Sequence, residues 1–162
     1  MSNLGFEKHL EAAGVNVIRT SVGDRHVMEQ MRAHGYNLGG EQSGHIVMSN
    51  YGTTGDGLLS ALRVLNLVKT SGKTASEALQ VFKAYPQTLK NVNAPREVLD
   101  DAAVQDAIEQ MKEDLNGQGR VLVRASGTEP VVRVMIEGQD QSDIEARADE
   151  LCAFITGVKS RA

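Results

Sequence analysis

"VLVRASGTEPVVRVMI", Val121 to Ile136, decides how the second half of this chain folds. Two valine-rich runs flank a small polar segment containing Gly127 and Pro130, a pattern that predicts a β-hairpin. Side chains alternate along a strand, so Val121 and Val123 take one face and Arg124 the other. Beyond the turn, Val132, Val134 and Ile136 share a face and Arg133 lies opposite. If the valines face a core, both arginines project from the open side. Between them Ser126 and Thr128 offer hydroxyls, and Gly127 leaves backbone N–H groups uncovered by a Cβ. Two guanidiniums, two hydroxyls and several amides suit a phosphate dianion. The same residues also describe an ordinary hairpin turn, with arginines reaching into water and hydroxyls closing local turns. Glu129 is awkward for the anion reading, because a carboxylate repels phosphate unless it pairs with an arginine or points away.

Outward from the hairpin, Gly117-Gln118-Gly119 forms the turn that leads into it. Val98 to Leu115 predicts a helix, as does Ser142 to Ile155, and Leu89 to Val92 predicts a strand followed by a turn at Ala94-Pro95. Strand, helix, hairpin, helix make a small α+β unit over residues 89–162, an antiparallel sheet with helices on one face. Residues 1–88 read differently. Ser2 or Asn3 caps a helix from Leu4 to Ala13, closed by Gly14, and Val15 to Ile18 reads as a short strand. Asp24 is placed as the N-cap of a helix ending at Gly35. A loop over Gly39 to Gly44 precedes a strand from His45 to Met48. Asp56 caps an apolar helix through Leu58, Leu62, Leu65 and Val68, and Thr74-Ala75-Ser76-Glu77 is a capping box.

Alternating helix and strand is the signature of a parallel α/β layer. Two strands cannot cover that many amphipathic helices, so the expectation is an incomplete mixed α/β three-layer domain. The same mismatch leads to the expectation that the chain is the C-terminal part of a longer protein. It also leads us to expect self-association through an uncovered strand edge and helix face.

Composition narrows the function classes. Hydrophobic residues make up 41% of the 162 and charged residues 23%, a globular balance. The net charge of −4 gives no field for nucleic acid, so a small anion would need a local positive site. The single cysteine, Cys152, forms no intrachain disulfide and reads as a small buried hydrophobe, which fits a cytoplasmic setting. No apolar run approaches the ~20 residues that span a bilayer.

Arg124-Ala125-Ser126-Gly127-Thr128-Glu129-Pro130, with Arg133 after it, resembles the phosphate-binding loop of the α-D-phosphohexomutases. These are four-domain enzymes that move a phosphoryl group between the 1- and 6-positions of a hexose. Gly40-Glu41-Gln42-Ser43-Gly44-His45 resembles their sugar-recognition loop. Val22-Gly23-Asp24-Arg25 and Thr53-Thr54-Gly55-Asp56-Gly57 are similar to the phosphoglucosamine mutase branch. The motifs occur in family order across essentially the whole chain.

The resemblance implies that residues 1–88 belong to the family's third domain and residues 89–162 to its fourth. It implies that Glu41 and Ser43 hold sugar hydroxyls, as a carboxylate and a hydroxyl can. It implies that Arg124, Ser126, Gly127, Thr128 and Arg133 hold the phosphate. Arg25 would lie near the reacting phosphate as a charge stabiliser, or else be the solvated first residue of a helix. His45 reads more simply as a framework histidine than as an acid–base group. Asp56 reads as a helix cap, since one carboxylate cannot supply a magnesium site.

The family's chemistry uses a phosphoserine in a Thr-x-Ser-His-Asn-Pro-like loop and magnesium in an Asp-x-Asp-x-Asp-Arg-like loop. Neither pattern occurs in the 162 residues. The expectation is therefore a substrate-gripping part, inactive by itself and with no catalytic residue assigned beyond Arg25. The Mg2+ would be bound outside this chain, and the missing N-terminal half would be its partner. The substrate would be a hexosamine phosphate, with glucosamine 6-phosphate converted to glucosamine 1-phosphate through a 1,6-bisphosphate. Two alternatives stand beside it: a piece of a phosphomannomutase/phosphoglucomutase, or a stand-alone phosphosugar-binding module.

Overall fold

The computed structural model describes residues 1–159. The chain divides into two compact units, Met1–Lys83 and a second beginning at Ala84. The whole is a mixed α/β structure built on two small antiparallel sheets.

In the first unit, helix α1 (Leu4–Ala12) is capped by the Asn3 side chain, which accepts from the Gly5 N–H at 2.9 Å. The following Val15 to Ile18 is not a strand. No partner strand lies beside it among the described residues, and Val15 and Ile18 are about half exposed. Helix α2 (Asp24–His34) begins one residue earlier than its sequence suggests. Gly23, at φ +126°, is the N-cap, and Asp24 lies within the first turn with its carboxylate on the Arg25 N–H. A left-handed Gly35 closes the helix.

Strands β1 (Leu38–Gly40) and β2 (Ile46–Met48) pair antiparallel, with Leu38 opposite Met48 and Gly40 opposite Ile46. The parallel layer expected of Val15 to Ile18 and His45 to Met48 does not form, because the first is no strand and Ile46–Met48 pairs instead with Leu38–Gly40. A parallel crossover needs a dozen or more residues, and the Glu41–His45 segment is long enough only for a hairpin. Gly39 and Gly40 belong to β1 rather than to the loop. A Cβ on Gly39 would lie 2.5 Å from the Met31 Sδ and 2.7 Å from Val27, so glycine lets the strand lie on α2. Val27, Met31 and Val47 are the buried residues of that contact.

Helix α3 (Gly57–Ser71) starts at Asp56, whose carboxylate accepts from the Leu59 N–H at 2.9 Å. It has no buried residue, and Leu58, Leu62 and Leu65 are 74%, 56% and 64% exposed. Helix α4 (Ala75–Leu79) opens with the complete Thr74–Glu77 capping box.

In the second unit, strands β3 (Gln87–Val92), β4 (Arg120–Ala125) and β5 (Val132–Glu137) form one sheet in the order β3-β5-β4, antiparallel throughout. Helices α5 (Ala102–Leu115) and α6 (Gln141–Lys159) cover one face. The stretch predicted as a single helix from Val98 is broken. Arg96–Asp100 winds as a 3-10 turn, and Asp101, in an extended conformation, caps α5 through the Ala103 N–H at 2.8 Å. Val121, Val132, Val134 and Ile136 from the sheet meet Val104, Ile108, Ile144, Leu151 and Ile155 from the helices in one core. Each such buried side chain contributes about 1.5–3 kcal/mol. Cys152 is partly buried against this core, and burial pushes its thiol pKa up.

No helix among the described residues is long and apolar enough to cross a membrane.

Candidate functional site

The hairpin β4–β5 fixes where its arginines go. Because Val132, Val134 and Ile136 are fully buried against the helices, the alternate positions occupy the other face. Register sets that face in three rows across the sheet. Asn91, Arg133 and Arg124 form the row nearest the loop, Leu89, Met135 and Leu122 the middle row, and Gln87, Glu137 and Arg120 the far row.

Arg124 and Arg133 are direct cross-strand partners. Two like charges directly opposite are unfavourable on a sheet unless something lies between them. The Arg133 Nε is buried and makes no hydrogen bond, and one Nη lies 3.6 Å from a Glu129 carboxylate oxygen. For Arg124 no carboxylate lies within ion-pair distance among the described residues.

The connecting loop is held by its own backbone. The Ser126 N–H donates to the Val131 carbonyl at 2.8 Å, and the Val131 N–H donates to the Glu129 carbonyl at 2.8 Å. The Ser126 hydroxyl accepts from the Thr128 N–H at 3.4 Å. Ser126 is half-buried, while Gly127, Thr128 and Glu129 are exposed, and a Cβ on Gly127 would meet nothing. The loop therefore presents amides and hydroxyls beside two arginines paired across the strands. That arrangement can bind a tetrahedral oxyanion.

The far row holds an ion pair that the sequence reading passed over. Glu137 is completely buried and accepts from the Arg120 Nε at 2.9 Å. Strand alternation puts both residues on the sheet face opposite the helices. What the sequence did not show was the register that sets them opposite each other.

In the first unit three motif loops converge. The Glu41 carboxylate accepts from the Gly23 N–H at 2.9 Å, which ties the sugar-type loop to the start of α2. Backbone bonds from Glu41 N–H to His45 carbonyl (2.8 Å) and from Gly44 N–H to Glu41 carbonyl (3.1 Å) shape the turn. Gly44 sits at φ +99°, where a side chain would be strained. A Cβ on Gly40 would lie 2.5 Å from the His45 carbonyl oxygen, so this close approach also requires glycine. Gly55 lies against the start of β2, where its Cβ would be 3.6 Å from the Ile46 carbonyl oxygen.

The remaining candidates of this unit are exposed. Ser43 lies with its hydroxyl 3.4 Å from the His45 Nδ1. The Arg25 side chain, 84% exposed, pairs with Glu29 one turn on at 2.8 Å. That hydrogen bond raises the Arg25 pKa and lowers the Glu29 pKa. A shallow concavity lined by Met28, Met31, Arg32, Tyr36, Ser49 and Thr53 opens elsewhere on the unit and includes neither Glu41 nor Ser43. Among the described residues no three His, Cys, Asp or Glu side chains converge as a metal site. Asp56 is engaged on the Leu59 N–H.

Residues 1–85 match the family described as phosphoglucomutase/phosphomannomutase, alpha/beta/alpha domain III. Residues 89–154 match the phosphoglucomutase/phosphomannomutase C-terminal domain. The chain is 53% identical to the phosphoglucosamine mutase of Rhizobium meliloti (strain 1021), over 100% of this chain and 36% of that protein. It is 52% identical to the phosphoglucosamine mutase of Rhodospirillum rubrum, over 96% of this chain and 35% of that one. The chain thus spans about a third of the length of the curated relatives it matches.

Among solved structures, Aspergillus fumigatus N-acetylphosphoglucosamine mutase superposes with a TM-score of 0.82 at 20% identity, covering 98% of this chain and 37% of that one. The same enzyme in complex with GlcNAc-6P and magnesium gives 0.74 at 20% identity, covering 95% and 36%. At such identities the likeness speaks for the fold.

Proposed function

The chain belongs to the phosphoglucomutase/phosphomannomutase family, matching its domain III and its C-terminal domain, and from that premise we propose that it is the substrate-gripping part of a phosphoglucosamine mutase. The whole enzyme would interconvert glucosamine 6-phosphate and glucosamine 1-phosphate. The observation that carries the reading is the cross-strand pairing of Arg124 with Arg133 beside the open Ser126-Gly127-Thr128 turn.

In this reading Arg124, Ser126, Gly127, Thr128 and Arg133 hold whichever phosphate is not reacting. Their contribution is positioning rather than bond making. Glu41 has one oxygen on the Gly23 N–H and uses the other, with the Ser43 hydroxyl, for sugar hydroxyls. Arg25 would have to leave Glu29 to reach a phosphate, and the exposed pair would cost little to open.

The phosphoryl donor, a phosphoserine, and the magnesium that neutralises charge during transfer would sit on polypeptide outside this chain, its N-terminal partner in the whole protein. The sugar hydroxyl would attack the serine phosphate and release the serine oxygen, giving a 1,6-bisphosphate. After the intermediate turns around, its other phosphate would return to the serine. This chain's residues would grip the sugar through both transfers. A cytoplasmic setting belongs to the same reading, supported by the one unpaired cysteine.

The names of the relatives at 50–53% identity favour glucosamine over a glucose or mannose phosphate. Two measurements test the proposal. Titrating the isotope-labelled chain with glucosamine 6-phosphate should shift the amide resonances of Gly127 and Thr128. Assaying the whole gene product on glucosamine, glucose and mannose phosphates should show preference for the amino sugar. Silence of the loop amides at millimolar ligand removes the phosphate reading, and preference for glucose or mannose phosphate removes the glucosamine assignment.

A further inference from the structure

Resting on that reading of the loop, we propose that Glu129 is the resident counter-anion of the phosphate clamp. It holds Arg133 when the loop is empty and takes it back when a phosphate monoester dianion leaves. The argument begins with charge. Arg124 and Arg133 face each other across the ladder, and among the described residues the carboxylate within reach of this pair is Glu129. Without it, two guanidiniums would stand opposite each other with no anion nearby.

Geometry makes the contact a loose one. At 3.6 Å it is an ion pair longer than a hydrogen bond, and the Glu129 side chain is 62% exposed, so water screens it. The Arg133 Nε, buried and without a partner, keeps a donor unused even while Glu129 is in place. A dianion offers more oxygens and more charge than one carboxylate, so it displaces Glu129 and takes that donor as well.

The loop backbone does not depend on this side chain. It is the Glu129 carbonyl, not the carboxylate, that accepts from Val131. The carboxylate is free to swing aside while the turn stays closed.

The chemistry gives the device a purpose. A clamp in a mutase that turns its bisphosphate around must release and regrip within each cycle. An internal competitor lowers the hold on phosphate and speeds release. Glu129 therefore sets how tightly the loop binds without taking part in bond making.

The test uses the full 162-residue chain at low salt, with Gly127 and Thr128 amide shifts as the readout. Inorganic phosphate and glucosamine 6-phosphate are the probes, compared between the native chain and E129Q. Removing the competing charge should tighten both ligands roughly two- to fivefold, the range such an exposed pair is worth. The gain should shrink as salt is raised. E129D, which keeps the charge on a shorter arm, should fall between the two.

If E129Q binds phosphate equally well or more weakly while the native chain binds, the counter-anion role is overturned and the phosphate reading stands. If neither form shifts the loop amides, the phosphate reading fails and takes this inference with it.

Discussion

Replacing Arg124 with glutamine should separate a functional arginine from a structural one. In the fold Arg124 stands opposite Arg133 with no carboxylate in ion-pair reach among the described residues. Like charges at directly opposed positions destabilise a sheet by about 0.2–1 kcal/mol. Arg124→Gln keeps most of the stem, loses the charge and relieves that repulsion. The second unit should therefore unfold in urea at an unchanged or slightly higher midpoint, a gain of at most about 1 kcal/mol.

Ligand binding should move the other way. A charge-assisted hydrogen bond to phosphate is worth about 1.5–3 kcal/mol, so affinity should fall roughly ten- to hundredfold. Arg124→Lys restores charge without the planar fork and should recover only part of the loss. Far-UV circular dichroism in urea reads the first effect, and amide shifts on titration with inorganic phosphate read the second. A variant that loses more than about 1 kcal/mol of stability yet binds phosphate normally would refute the reasoning, because Arg124 would then be part of the framework.

Three further outcomes follow from other parts of the fold. Arg120→Met removes the Arg120 Nε hydrogen bond from the fully buried Glu137 and should cost about 1.5–3 kcal/mol in urea unfolding of the second unit. Replacing both residues with apolar ones should cost less, and a single-variant loss below about 1 kcal/mol would contradict the burial argument. Asp140, held below the usual carboxylate range first by the Ser142 hydroxyl and then by the Asp143 N–H, stabilises the start of α6. Its folded-state pKa is depressed, so that contribution is present above the unfolded value and lost as pH falls through the folded one. The protection factor of the Asp143 amide, its exchange relative to an unstructured peptide at the same pH, should fall on acidification, and it should not in Asp140→Asn. Finally, the exposed leucines of α3 should drive association of the chain, with Leu62→Lys and Leu65→Lys together shifting light-scattering mass toward a monomer.

Local signals in the sequence were the most readable. Asp56, the Thr74–Glu77 box and Gly35 each act within a few residues of chain, so their identity was enough to place them. The hairpin was legible for the same reason, since alternation alone put Arg124 and Arg133 on the open face. Features that depend on a distant partner were hidden. Gly39 looked like loop because glycine weakens strands, yet it is in β1 because of Met31 and Val27 on α2. Val15 to Ile18 has strand composition but no ladder to join. Val98 to Leu115 keeps one apolar period through a break that only the extended backbone of Asp101 reveals. Among the candidate residues, the link from Glu41 to Gly23 could not be read from sequence, because nothing in either motif names the other.

That link has a consequence of its own. A hydroxyl that draws on the Glu41 carboxylate also tugs on the amide that launches α2, and with it on Asp24 and Arg25 next door. Whatever the loop grasps, the helix would register, so the two motifs should evolve and respond as a single lever rather than as separate fingers.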